Sequence, residues 1–177
     1  MRITLALAVA VAIALLAPAT GLSAPPSNDG FDFASAVSLP SAQSVDVTEA
    51  TLEGGEPGAW CWPLGGSAWY KLQPSEDTVV RISTGASPYF DRTVNVYRQT
   101  GPGLAGLSFI GCGYSWSQTT VRLTGGETDY VQTGHVSWQS GGVLSLTFEV
   151  VPPPANDDFT NAWDVGALPY SDAQSSL

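Results

Sequence analysis

The sequence predicts an all-β fold, an antiparallel β-sandwich of jelly-roll-like form with about eight strands, and three observations predict it. Across residues 45–151 the apolar side chains recur mostly at every second position, in short runs, and no segment sustains the 3.6-residue period of a helix. Gly54-Gly55, Gly65-Gly66, Gly101-Pro102-Gly103, Gly125-Gly126 and Gly141-Gly142 fall between those runs and supply the positive φ angles that tight hairpin turns need. Residues 28–151, 124 in all, are the size of one domain with a core of its own.

Taken in order, the expected strands are 45–52, 67–73, 78–84, 93–98, 107–112, 119–124, 129–138 and 143–151. The last has the clearest pattern. Val143, Ser145, Thr147 and Glu149 alternate with Leu144, Leu146, Phe148 and Val150, so one face is polar and the other apolar. Only residues 32–37 read as a short helical turn, with Asp32 as its cap.

Ahead of this domain stand one charge, Arg2, an apolar run over residues 3–17, and then Pro18-Ala19-Thr20-Gly21-Leu22-Ser23-Ala24. That layout predicts a signal peptide over residues 1–24, cleaved after Ala19 or after Ala24. The run is shorter than the roughly 20 residues that cross a bilayer, and no basic stop-transfer cluster follows, so no membrane insertion is expected after cleavage. The expected location is secreted or cell surface. Losing Arg2 leaves five Lys and Arg against sixteen Asp and Glu, a net charge of −11. Such a surface repels phosphate backbones and anionic lipid, which excludes nucleic acid as a partner. With 44% hydrophobic and only 12% charged residues, the acidity belongs to a globular chain.

Cys61 and Cys112 are an even pair in a chain expected to be exported, which predicts one disulfide closing a loop of about 50 residues. Two buried free thiols are the alternative. A metal site is the weaker one, because two thiols and one distant His make no zinc ligand set of recognised spacing. Trp60 and Trp62 flank Cys61, while Tyr114 and Trp116 follow Cys112, so a Cys61–Cys112 bond gathers four aromatic rings. In extended chain Trp60 shares a face with Trp62, and Tyr114 with Trp116. The four form a candidate ligand platform, since flat rings with a polar edge suit sugar rings and protein partners. Packing of the same rings over the disulfide is the preferred alternative at this stage.

Pro152-Pro153-Pro154 opens an extended linker over residues 152–155, and beyond it the chain repeats itself. Asp158-Phe159-Thr160-Asn161-Ala162 restates Asp32-Phe33-Ala34-Ser35-Ala36 at an offset of 126 residues. Each lies behind an Asn-Asp pair and ahead of a Leu-Pro. Residues 156–177 are therefore expected to be the truncated start of a second copy, too short to bury a core, and either disordered or draped on the first domain.

Asn28-Asp29, Ala50-Thr51, Glu53-Gly54-Gly55-Glu56-Pro57, Trp69-Tyr70, Phe90-Asp91, Gly111-Cys112 and the Pro153-Pro154-Ala155-Asn156-Asp157-Asp158-Phe159 stretch resemble, in this order, bacterial pre-peptidase C-terminal-like domains. The likeness runs over residues 28–151, with the linker and stub resembling the start of a further repeat. It implies a non-catalytic β-sandwich of the kind appended to secreted peptidases or strung in tandem, with Trp69 in the core, and it also implies the disulfide. Some related domains bind calcium, which makes Asp29, Glu49, Glu53, Glu56 and Asp91 the candidate oxygen donors here. The chain departs from the pattern in two places. Gly113-Tyr114-Ser115-Trp116 stands where an acidic stretch follows the second Cys, and Arg92 adjoins Asp91. Calcium prefers six to eight oxygens and no compact acidic loop supplies them, so Glu53 and Glu56 are expected to be solvated turn residues.

For catalysis there is one His, His135, and neither a Gly-x-Ser-x-Gly elbow nor another nucleophile signature beside it. It is expected to be an exposed strand residue. Phosphate loops and dinucleotide glycines are absent from the sequence. The reading is a secreted non-catalytic binding or localisation module that engages polysaccharide or an extracellular protein, with no cofactor beyond the calcium option. Its rivals are a structural spacer of a cell-surface protein and an accessory fragment of a secreted hydrolase.

Overall fold

The structure, a computed structural model, describes residues 24–58, 60–85, 90–115, 117–171 and 173. The expected signal segment, apart from Ala24, lies outside the described residues, as does Trp116. Nine strands run through the described residues: β1 (Ser35–Val37), β2 (Ser41–Asp46), β3 (Ala68–Leu72), β4 (Thr78–Thr84), β5 (Arg92–Gln99), β6 (Leu107–Tyr114), β7 (Thr119–Leu123), β8 (Asp129–His135) and β9 (Val143–Val150). One sheet has the order β1-β3-β8-β5-β6 and the other β2-β9-β4-β7. All pairings are antiparallel except β1 with β3. With β1 set aside, the remaining eight strands follow the strand order of a jelly roll, two Greek keys folded into a sandwich.

The core between the sheets comes from the alternation that the sequence displays. On β9, Leu144, Leu146 and Phe148 are buried, and on β7 so are Val121 and Leu123. With Val80 and Ile82 of β4 in the same sheet, they meet Leu72, Val96 and Val131 from the facing sheet. Strand β4 has its predicted bounds, and β3 and β5 to β9 lie within three residues of theirs.

Two local expectations are corrected. The expected strand 45–52 is β2 at Ser41–Asp46, an edge strand whose register on β9 runs from Ser41–Phe148 to Asp46–Val143. Within β2 only Val45 is fully buried, so the strand lacks the apolar alternation that marks the others. The expected helical turn over 32–37 is a single 3-10 turn at Phe31–Phe33, preceded by Gly30 with no side-chain cap, and the chain then enters β1. Asp32 lies inside the turn instead of capping it.

Three backbone hydrogen bonds of the lead-in to β1 have counterparts beyond the linker. The hydrogen bonds Asp29 N–H to Pro26 C=O, Phe33 N–H to Gly30 C=O and Ala34 N–H to Phe31 C=O recur as Asp157 to Pro154, Asn161 to Asp158 and Ala162 to Phe159. The offset is 128 residues and not 126, so Phe159 answers to Phe31 rather than Phe33. Leu39-Pro40 and Leu168-Pro169 are both cis. Residues 157–171 are all exposed.

Candidate functional site

Strand β8 is buried along its whole length, so the outer face of the five-stranded sheet is covered as well as the inner one. The cover has two parts. The lead-in to β1 sets Phe31 edge-on to Trp69, with ring centroids 5.4 Å apart, and beside Tyr130 at 4.5 Å, while Trp69 meets Tyr97 behind them. The long connection 47–67 between β2 and β3 forms a strap over the rest. Polar residues hold it where the sheet's outer face is polar. The Glu56 carboxylate accepts from Gln132 Nε2 at 2.7 Å and from the Ser67 hydroxyl at 3.0 Å. Gln132 Oε1 in turn accepts from Asn95 and from the Tyr97 hydroxyl. The strap lies so close that a Cβ on Gly134 would sit 1.9 Å from the Gly66 carbonyl oxygen, which is why β8 carries glycine there.

A disulfide joins Cys61 on the strap to Cys112 on β6, with Cα atoms 6.0 Å apart. The rings around it divide into two stacks. Trp60, 69% exposed, lies against Phe109 at 5.0 Å. Trp62 lies against Tyr114 at 4.8 Å and meets Trp138 edge-on at 5.7 Å, and Trp138 is 56% exposed. Trp60 and Trp62 therefore have different neighbours instead of sharing one, because the strap turns at the disulfide. Trp116, the fourth expected member, lies outside the described residues. Trp138 is the member that sequence reasoning missed, having been assigned to the expected strand 129–138. It belongs to the turn after β8, and a large apolar ring within Ser137-Trp138-Gln139-Ser140-Gly141-Gly142 was the available signal. Trp69, by contrast, is fully buried, as expected of a structural residue.

Four of the candidate calcium donors, Asp29, Glu53, Glu56 and Asp91, are engaged by N–H and O–H groups. Asp29 accepts from the Thr51 N–H at 2.7 Å and from its hydroxyl, and Glu53 accepts from the Phe31 N–H. Glu56 holds the strap and Glu49 is exposed. Glu56 is accordingly not the solvated turn residue expected of it. Among the described residues no three His, Cys, Asp or Glu side chains are grouped so as to hold a metal ion. His135 is corrected as well. It is buried, with Nδ1 3.1 Å from the Val136 carbonyl oxygen, because the strap at Gly65 covers its ring.

Asp91 organises the second stack. Its carboxylate accepts from the Ser115 hydroxyl at 2.8 Å and from Gln139 Nε2 at 3.0 Å, while its own N–H donates to Gln139 Oε1. It thereby ties the end of β6, where Tyr114 lies, to the turn bearing Trp138. The Ser115 hydroxyl, then that of Tyr114, hold the Asp91 carboxyl below the usual range. A carboxylate depressed in the folded state contributes stability above its unfolded value of about 3.9 and loses it as pH falls through the folded value. Asp91→Asn is therefore expected to flatten the acid limb of thermal stability below about pH 4. Melting curves across that range check this, and an unchanged acid limb contradicts it.

Together these features define a disulfide-bonded jelly-roll sandwich with an aromatic band where the strap meets β6 and the turn after β8. Among the described residues no helix is long and apolar enough to cross a membrane. In comparisons with known proteins, no family model, no curated protein and no solved structure matches the chain.

Proposed function

We propose that this chain is a secreted, non-catalytic binding module of the pre-peptidase C-terminal type, and that its aromatic band takes a neutral extracellular polysaccharide. The observation that carries the reading is the outward presentation of Trp60, on a strap anchored by a disulfide, and of Trp138, on the turn after β8. Rigid indoles lose little conformational entropy on binding, and their faces suit the C–H faces of sugar rings. The net charge of −11 after loss of Arg2 favours a neutral sugar over an acidic one. The N-terminal apolar segment and the disulfide support export.

Tryptophan fluorescence of the oxidised protein, titrated with a soluble neutral glucan, tests the proposal. A saturable shift is expected, weakened at least about tenfold in Trp60→Ala/Trp138→Ala, the loss of about 1.4 kcal/mol or more that hot-spot indoles contribute. Absence of a shift in the wild type with both glucan and extracellular matrix protein would leave the spacer role in its place.

A further inference from the structure

We propose that residues 156–165 of one molecule seat on a second copy of this chain, in the place that residues 28–37 hold there, linking the copies head to tail. The proposal is independent of the aromatic band. Its ground is the pattern of what the two segments share. In the resident segment the buried side chains are Asn28, Phe31 and Val37. Their counterparts at the structural offset of 128 are Asn156, Phe159 and Val165, all identical. The changes fall mainly at exposed positions, with Asp32, Phe33 and Ala36 becoming Thr160, Asn161 and Asp164. All three buried side chains are retained, along with the half-buried Asp29 and Ala34 as Asp157 and Ala162, which is the pattern of a segment that fits the same socket.

The segment also has the conformation the socket requires. The three backbone hydrogen bonds that shape the lead-in are already formed around Phe159. Phe159 is nevertheless 95% exposed, whereas Phe31 is 6% exposed against Trp69 and Tyr130. Seated in the same way, Asn156 would donate to the Trp69 carbonyl as Asn28 does at 2.9 Å, and the Phe159 N–H would meet Glu53 as Phe31's does. Asp164 would take the place of Ala36, whose register partner on β3 is Lys71, so an apolar position gains an opposite-charge pair. Two half-buried positions work against the fit, Gly30 and Ser35, the latter becoming Trp163 opposite Tyr70. Asp158 replaces Gly30, where a Cβ lies 4.0 Å from Glu53 Oε2. The 3.3 Å approach of that Cβ to the Phe33 ring disappears, because the incoming segment carries Asn161 there.

A resident segment tethered to its own socket competes at an effective concentration of order millimolar, so the wild type is expected to be monomeric at micromolar concentration. Phe31→Ala weakens the resident alone. By sedimentation equilibrium it is expected to associate at a concentration at least about tenfold lower than the wild type, with high salt opposing association. Phe31→Ala/Phe159→Ala is expected to be monomeric again, and Phe31→Ala/Asp158→Gly to associate more tightly than Phe31→Ala. Association of Phe31→Ala that survives loss of Phe159, or none beyond the wild type, overturns the proposal. Should Phe31→Ala not fold, a synthetic peptide of residues 152–171 is added in excess to the wild type and hydrogen exchange is followed over residues 24–40. Faster exchange with this peptide than with its Phe159→Ala form supports the exchange; equal rates overturn it.

Discussion

Replacing Cys61 and Cys112 by serine is expected to lower the unfolding free energy by about 3 to 4 kcal/mol. The bond closes a loop of 51 residues in sequence separation, and its removal returns the entropy of that loop to the unfolded chain. The loss has a local part. Without the bond the strap is held by the Glu56 hydrogen bonds to Gln132 and Ser67 and by the bonding of residues 64–67 to their neighbours. The stacks of Trp60 on Phe109 and of Trp62 on Tyr114 then loosen while the sandwich stays folded. Denaturant titration measures the first effect, and near-ultraviolet circular dichroism in native buffer measures the second. A variant as stable as the wild type, with an unchanged aromatic spectrum, would show that the strap needs no covalent anchor.

Trp69→Ala is expected to cost about 3 to 5 kcal/mol, the range for removing a large ring from a fully packed site. Its indole lies between the lead-in at Phe31 and Tyr97 on β5, so truncation opens a cavity on the outer face of the five-stranded sheet. The cost falls on the same socket that seats Phe31. Trp69→Phe keeps most of the volume and is expected to cost clearly less. Denaturant midpoints for the two variants check this. A loss below about 1 kcal/mol for Trp69→Ala would mean that the socket collapses freely around the missing ring.

Much of the sandwich was legible because period-two alternation is a local property of the chain. Strand β9 displays it without interruption, and β4 is found at its predicted bounds. Strand β2 was displaced because an edge strand with one fully buried residue carries no such pattern. The disulfide was legible from cysteine count and expected export, and the nearness of the aromatic rings followed from it. Their division into two stacks was not, nor was the part played by Trp138, since both depend on where the strap turns. The repeat was visible in the residues, but its register was settled by hydrogen bonds, which align Phe159 with Phe31.

By itself the sequence determined an all-β fold and pointed to a single cysteine pair with aromatic residues gathered around it. Tertiary structure alone decided which face of the five-stranded sheet is covered and by what. That cover buries His135, engages Glu56 with Gln132 across 76 residues of sequence, and sets Trp60 outward beside the turn that bears Trp138. The physical reason is range. Alternation within a strand is written between neighbours, whereas a strap is positioned by a few hydrogen bonds and one covalent bond between residues far apart, which no local pattern records.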